Sequence, residues 1–172
     1  MPNIVAPTYT CIASTTLSTG TAVISFTNIP QNFTDLVAHV TVSNSQANFN
    51  TYLFLEGGAS IYGRTLMHSD GSTVAVASNN DIVYLADAPN GAPFNGNFET
   101  IEYHIFGYNQ TNTYKTILSR AGGAGTNSGG RTVIGVGNVR TTNAINLVQF
   151  ATGGGVLLAG SKFSLYGIKG AM

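Results

Sequence analysis

NIPQNFTDLVAHVTVS, residues Asn28 to Ser43, decides how this chain folds. Pro30 fixes its own φ and holds Ile29 extended, so the chain reverses direction there. Leu36 to Val42 (LVAHVTV) follows, an apolar and β-branched run with the composition of a strand. Side chains alternate across a strand, which puts Leu36, Ala38, Val40 and Val42 on one face. A strand with one wet face keeps the other face polar. Here Val37 sits on that other face beside His39 and Thr41, so the expectation is a strand covered on both sides. In so small a chain the second cover is expected to be another protein subunit.

Working outward, strand-like segments follow in quick succession. They are Tyr9–Leu17, Ala22–Thr27, Leu36–Ser43, Thr51–Leu55, Ser60–Met67, Val74–Ala77, Ile82–Ala86, Phe98–Tyr108, Tyr114–Ala121, Thr132–Val139, Ile145–Phe150 and Phe163–Ile168. Gly20, Gly57-Gly58, the Ser69-Asp70-Gly71-Ser72 turn and Gly153-Gly154-Gly155 punctuate them. Pro89–Asn97 (PNGAPFNGN) and Gly122–Gly130 (GGAGTNSGG) read as loops. No apolar i, i+3, i+4, i+7 pattern marks a helix, and no fixed-period repeat marks a solenoid or propeller. The predicted fold is all-β: a single-domain antiparallel β-sandwich, jelly-roll-like, over residues 8–172, with a closed barrel as the alternative. Met1–Pro7 (MPNIVAP) carries two prolines and no periodicity, and is expected to be an extended arm.

Charge narrows the function. Only 8% of the 172 residues are Asp, Glu, Lys or Arg, against a typical ~25%. Seven basic and seven acidic residues cancel, and a domain with so little charge tends to self-associate. The basic residues Arg64, Lys115, Arg120, Arg131, Arg140, Lys162 and Lys169 stand singly, which argues against nucleic acid. Cys11 is the single cysteine, expected as a small buried hydrophobe, so no disulfide forms within the chain. No apolar stretch approaches the ~18 residues of a spanning helix, and no basic region with an apolar run opens the chain.

Five stretches carry a resemblance: FTNIPQNFTDLV (Phe26–Val37), YGRTLMHSDGS (Tyr62–Ser72), YNQTNTYKTILSR (Tyr108–Arg120), VRTTNAINLVQF (Val139–Phe150) and GSKFSLYGIK (Gly160–Lys169). In sequence, order and spacing they resemble small β-rich virion proteins of tailed phages, especially phages of cyanobacteria and marine bacteria. The resemblance implies a structural component of a phage particle, made in the host cytoplasm and carried on the virion, and brings no catalytic motif. It leaves open whether the protein decorates the capsid or belongs to the tail or its fibres. Partners on this reading are further copies of the chain and other virion proteins, with no membrane.

The ionisable residues speak against an enzyme. His39, His68 and His104 lie on separate segments, with none of the spacings that build a zinc site. Glu99 and Glu102 point to opposite faces of one strand, so they form no acid/base pair. Glu102 and His104 share a face, but ~7 Å along a strand is too far for a hydrogen bond. No metal, cofactor or catalytic residue is therefore assigned. Two groups of contact residues are. Met1, Pro2, Asn3, Ile4, Val5, Val37 and His39 are expected to touch another subunit or the capsid. Asn90, Phe94, Asn95, Asn109 and Tyr114 are expected on outward loops, where an aromatic with amides around it suits a host-surface glycan. The alternative for those aromatics is a place in the core or in a subunit interface.

Overall fold

The structure is a computed structural model that describes residues 9–46, 51–56, 61–69, 73–82, 85–86, 98–123 and 131–169. Twelve strands and no helix run through these residues. They are β1 (Tyr9–Thr16), β2 (Val23–Thr27), β3 (Asp35–Val42), β4 (Thr51–Leu55), β5 (Tyr62–Ser69), β6 (Val74–Ile82), β7 (Leu85–Ala86), β8 (Glu99–Phe106), β9 (Lys115–Gly123), β10 (Arg131–Val139), β11 (Leu147–Thr152) and β12 (Lys162–Ile168). They form two antiparallel sheets packed face to face, a β-sandwich. The large sheet has the order β1-β12-β3-β8-β9-β10-β5-β6 and the small one β2-β11-β4-β7.

The core lies between the sheets and follows from alternation. Leu36, Ala38, Val40 and Val42 of β3, Ile101, Tyr103 and Ile105 of β8, and Phe163 and Leu165 of β12 point inward. Leu53 and Leu55 of β4 and Val148 and Phe150 of β11 meet them from the small sheet. The Phe150 ring lies 6.0 Å from Tyr103 and 5.5 Å from Phe163. Buried Tyr62 of β5 donates its hydroxyl to the Leu55 carbonyl and accepts from the Leu55 amide, both at 2.6 Å, which ties the two sheets at one end.

The turn at Pro30 is held by its surroundings as well as by proline. Tyr108 donates its hydroxyl to the Pro30 carbonyl, and the Asn109 amide donates to the carbonyls of Gln31 at 3.2 Å and Phe33 at 2.9 Å. Phe33 then lies over Gly167 of β12, where a Cβ would stand 2.3 Å from its ring. Lys115 is the other anchor at this end. It is buried, and its ammonium donates to the carbonyls of Gln110, Thr113 and Thr141 at 2.6, 3.0 and 3.2 Å. Burial lowers its pKa, while the three carbonyls give its protons partners.

Several expectations are corrected. Ser78 to Asp81 read as a break between two short strands, yet β6 continues through them to Ile82. Pairing with β5 (Thr65↔Ser78, Arg64↔Asn79, Tyr62↔Ile82) carries the strand past these turn-forming residues, with a bulge between Tyr62 and Arg64. Gly122 and Gly123 belong to β9 rather than to a loop, because β8 and β10 pair with them on both sides. Cys11 is exposed, since β1 is an edge strand with little to cover it. The Met1–Pro7 arm and the Pro89–Asn97 loop lie outside the described residues.

Candidate functional site

The face of the large sheet turned away from the core is the candidate site. Register assigns its rows. One row crosses all eight strands as Ser14, Ser164, His39, Glu102, Arg120, Ile134, Met67 and Val76. The neighbouring row runs Tyr166, Val37, His104, Leu118, Val136, Thr65 and Ser78. Both rows change character between β8 and β10.

On the β1-β12-β3-β8 half, polar groups meet one another. Ser14 and Ser164 share a hydroxyl hydrogen bond of 2.9 Å. Glu102 accepts from Arg120 at 2.7 Å and faces His39 Nδ1 at 3.6 Å, and its hydrogen bond and charge raise the Arg120 pKa. Asp35 accepts from the Gly107 amide at 2.8 Å and meets His104 Nε2 at 3.4 Å, while the His104 ring stacks on Phe106 at 3.9 Å. So Glu102 and His104, which share a face, each find a different partner. His39, Thr100, Glu102, Arg120, Ala121 and Gly122 line an open depression of about 290 Å³. Its acid, Glu102, is already paired with Arg120. Among the described residues, no three His, Cys, Asp or Glu side chains stand close enough to hold a metal ion.

The β9-β10-β5-β6 half is apolar and open. Leu118, Val136, Ile134, Met67, Val74 and Val76 are 43 to 69% exposed, although each is a large hydrophobe. They are contiguous, because Leu118 pairs with Val136, and Ile134 with Met67, which in turn pairs with Val76. Inward from the same β10 backbone stand Val133, Gly135, Gly137 and Val139. Sequence reasoning missed this half-face. Its signal is that strand β10 carries glycine on the buried side and Ile and Val on the exposed side, the reverse of a domain that ends at its own surface.

The contact residues expected from sequence fall in different places. Val37 is only 1% exposed within the single chain, with Tyr166 and His104 as its cross-strand neighbours. Its own sheet therefore supplies the second cover ascribed to another subunit. His39 remains partly open at the rim of the depression. Asn109 turns its amide nitrogen back onto the Pro30 turn. Tyr114, on the connection between β8 and β9, is 60% exposed. Met1, Pro2, Asn3, Ile4, Val5, Asn90, Phe94 and Asn95 lie outside the described residues. Set against known protein families, curated proteins and solved structures, the chain matches none.

Proposed function

We propose that this chain is a non-enzymatic structural protein of a tailed-phage particle, a capsid decoration or cement protein that works as an oligomer on the head. The observation that carries the reading is the open apolar half-face on a chain with almost no charge. A soluble monomer rarely keeps a contiguous apolar patch of more than a few hundred Å², and larger ones mark contact sites. The five stretches that resemble virion proteins supply the particle.

Strand order adds support. We read β1-β12-β3-β8 facing β2-β11-β4-β7 as the two interlocked Greek keys of a jelly roll. The hairpins β5-β6 and β9-β10 then lengthen one of its sheets. Jelly rolls recur in capsid proteins and lectins, an argument by analogy of fold alone. The competing reading is a tail or fibre component that meets a host-surface glycan, and exposed Tyr114 is the feature that favours it.

Immunogold labelling of purified particles with an antibody against the chain tests both. Label spread over the head is the expected result. Label at the tail tip alone would replace the decoration reading with the fibre reading, and unlabelled particles would end both.

A further inference from the structure

We infer that the outer face of β9-β10-β5-β6 is a self-complementary interface, covered in solution by the same face of a second copy of this chain. The inference rests on the assembly reading above and names its surface and its partner. Three observations carry it.

The first is that large hydrophobes stand open on this half, with Leu118, Val136, Ile134, Met67, Val74 and Val76 all exposed. On the other half Ser14, Ser164, His39, Glu102, Arg120, Asp35 and His104 satisfy one another, and Arg120 marks the border with its charge already paired. The second is the absence of charge. Beyond Arg120 the two rows read Ile134, Met67, Val76 and Val136, Thr65, Ser78, so neither row sets an ionised side chain against an identical face. A two-fold axis sets one patch against itself, so a neutral patch suits a second copy better than a partner chosen by charge. The chain as a whole has zero net charge, which removes long-range repulsion between copies.

The third is area. Four strands ~4.8 Å apart and ~27 Å long present roughly 500 Å² per copy, or roughly 1,000 Å² for the pair, the least a biological interface buries and the size of a reversible rather than a permanent dimer. An apolar centre ringed by Thr65, Ser78, Thr132 and Asn138 also matches the usual anatomy of such interfaces.

Sedimentation velocity over a range of micromolar concentrations tests the inference on the full chain. Wild type is expected at twice the chain mass. Ile134→Asp and Met67→Glu each place a charge on the exposed face, and each should weaken association by roughly 30-fold or more, the weight of one interface hot spot. Thr16→Asp, on the polar half of the same sheet, should stay dimeric. Circular-dichroism melts identify folded variants, and if one face variant fails to melt cooperatively the other decides.

A wild type that stays monomeric overturns the inference, as do face variants that remain dimeric while folded. Labelled heads with a monomeric protein would sink this inference and leave the proposed function standing. If Ile134→Asp then also failed to join particles, a different virion protein would be the occupant of the face. Unlabelled particles with a dimer broken by Ile134→Asp would do the opposite, keeping the interface and ending the phage reading.

Discussion

Glu99 is the residue least at ease in this fold. It begins β8 on the inward side, is 1% exposed, and among the described residues neither carboxylate oxygen has a hydrogen-bond partner. Desolvation pushes its pKa from 4.5 up to about 8. The folded protein therefore holds a proton that the unfolded chain releases above pH 4.5. Glu99 stability is fully present below that value and is lost as pH rises through about 8, with a limiting slope of about 1.4 kcal/mol per pH unit. Glu99→Gln keeps the shape without the charge. Urea unfolding at pH 5, 6.5 and 8 should show wild-type stability falling across this window and the Gln variant nearly level, with the Gln variant ahead at pH 8. Parallel curves for the two proteins would show that Glu99 is not the titrating group.

Strand β3 is the element on which the large sheet depends. It pairs with β12 and β8 along its length, and Val40 stands between Phe163 and Ile101 with no exposure at all. A charge there has no partner and no water, at a cost of several kcal/mol. Val40→Asp should give insoluble or unfolded protein, whereas Thr41→Asp, one residue on and turned to the outer face, should fold with a cooperative melt. Soluble, cooperatively melting Val40→Asp would move β3 out of the core. The strand was legible as a strand because LVAHVTV carries the right residues at the right period. The cover over Val37 was not, because period two separates the faces without saying what packs on each. His104 and Tyr166, which flank Val37, come from strands 67 and 129 residues further along the chain.

At the scale of the whole molecule, charge and surface tell one story. On the proposed reading, a chain with fourteen charged residues in 172 and an exposed apolar half-face associates by burial rather than by ion pairing. Association should then be almost indifferent to sodium chloride, changing less than ~3-fold between ~0.05 and ~0.5 M, since there is little charge to screen. Ammonium sulfate at moderate concentration should tighten it. Sedimentation equilibrium across both series measures this, and a steep loss of association in sodium chloride would point instead to the His39–Glu102–Arg120 side of the sheet.

The sequence by itself determined the fold class and nearly every strand. β-branched alternation, glycine and proline punctuation, and the lack of a helical period are local facts that leave one class open. The proposal that the chain assembles starts from its composition, which is also a property of the sequence alone. Only the tertiary structure decided which side of each strand is the inside. Where both sides carry apolar residues, as in VIGVGNV of β10 and VAVAS of β6, alternation is symmetric, and the small sheet breaks the symmetry by covering one side of the large one. The same pairing drew Ser78 and Asn79 into β6 against their own turn preference, because ladder pairing with β5 outweighs a propensity of at most ~1 kcal/mol.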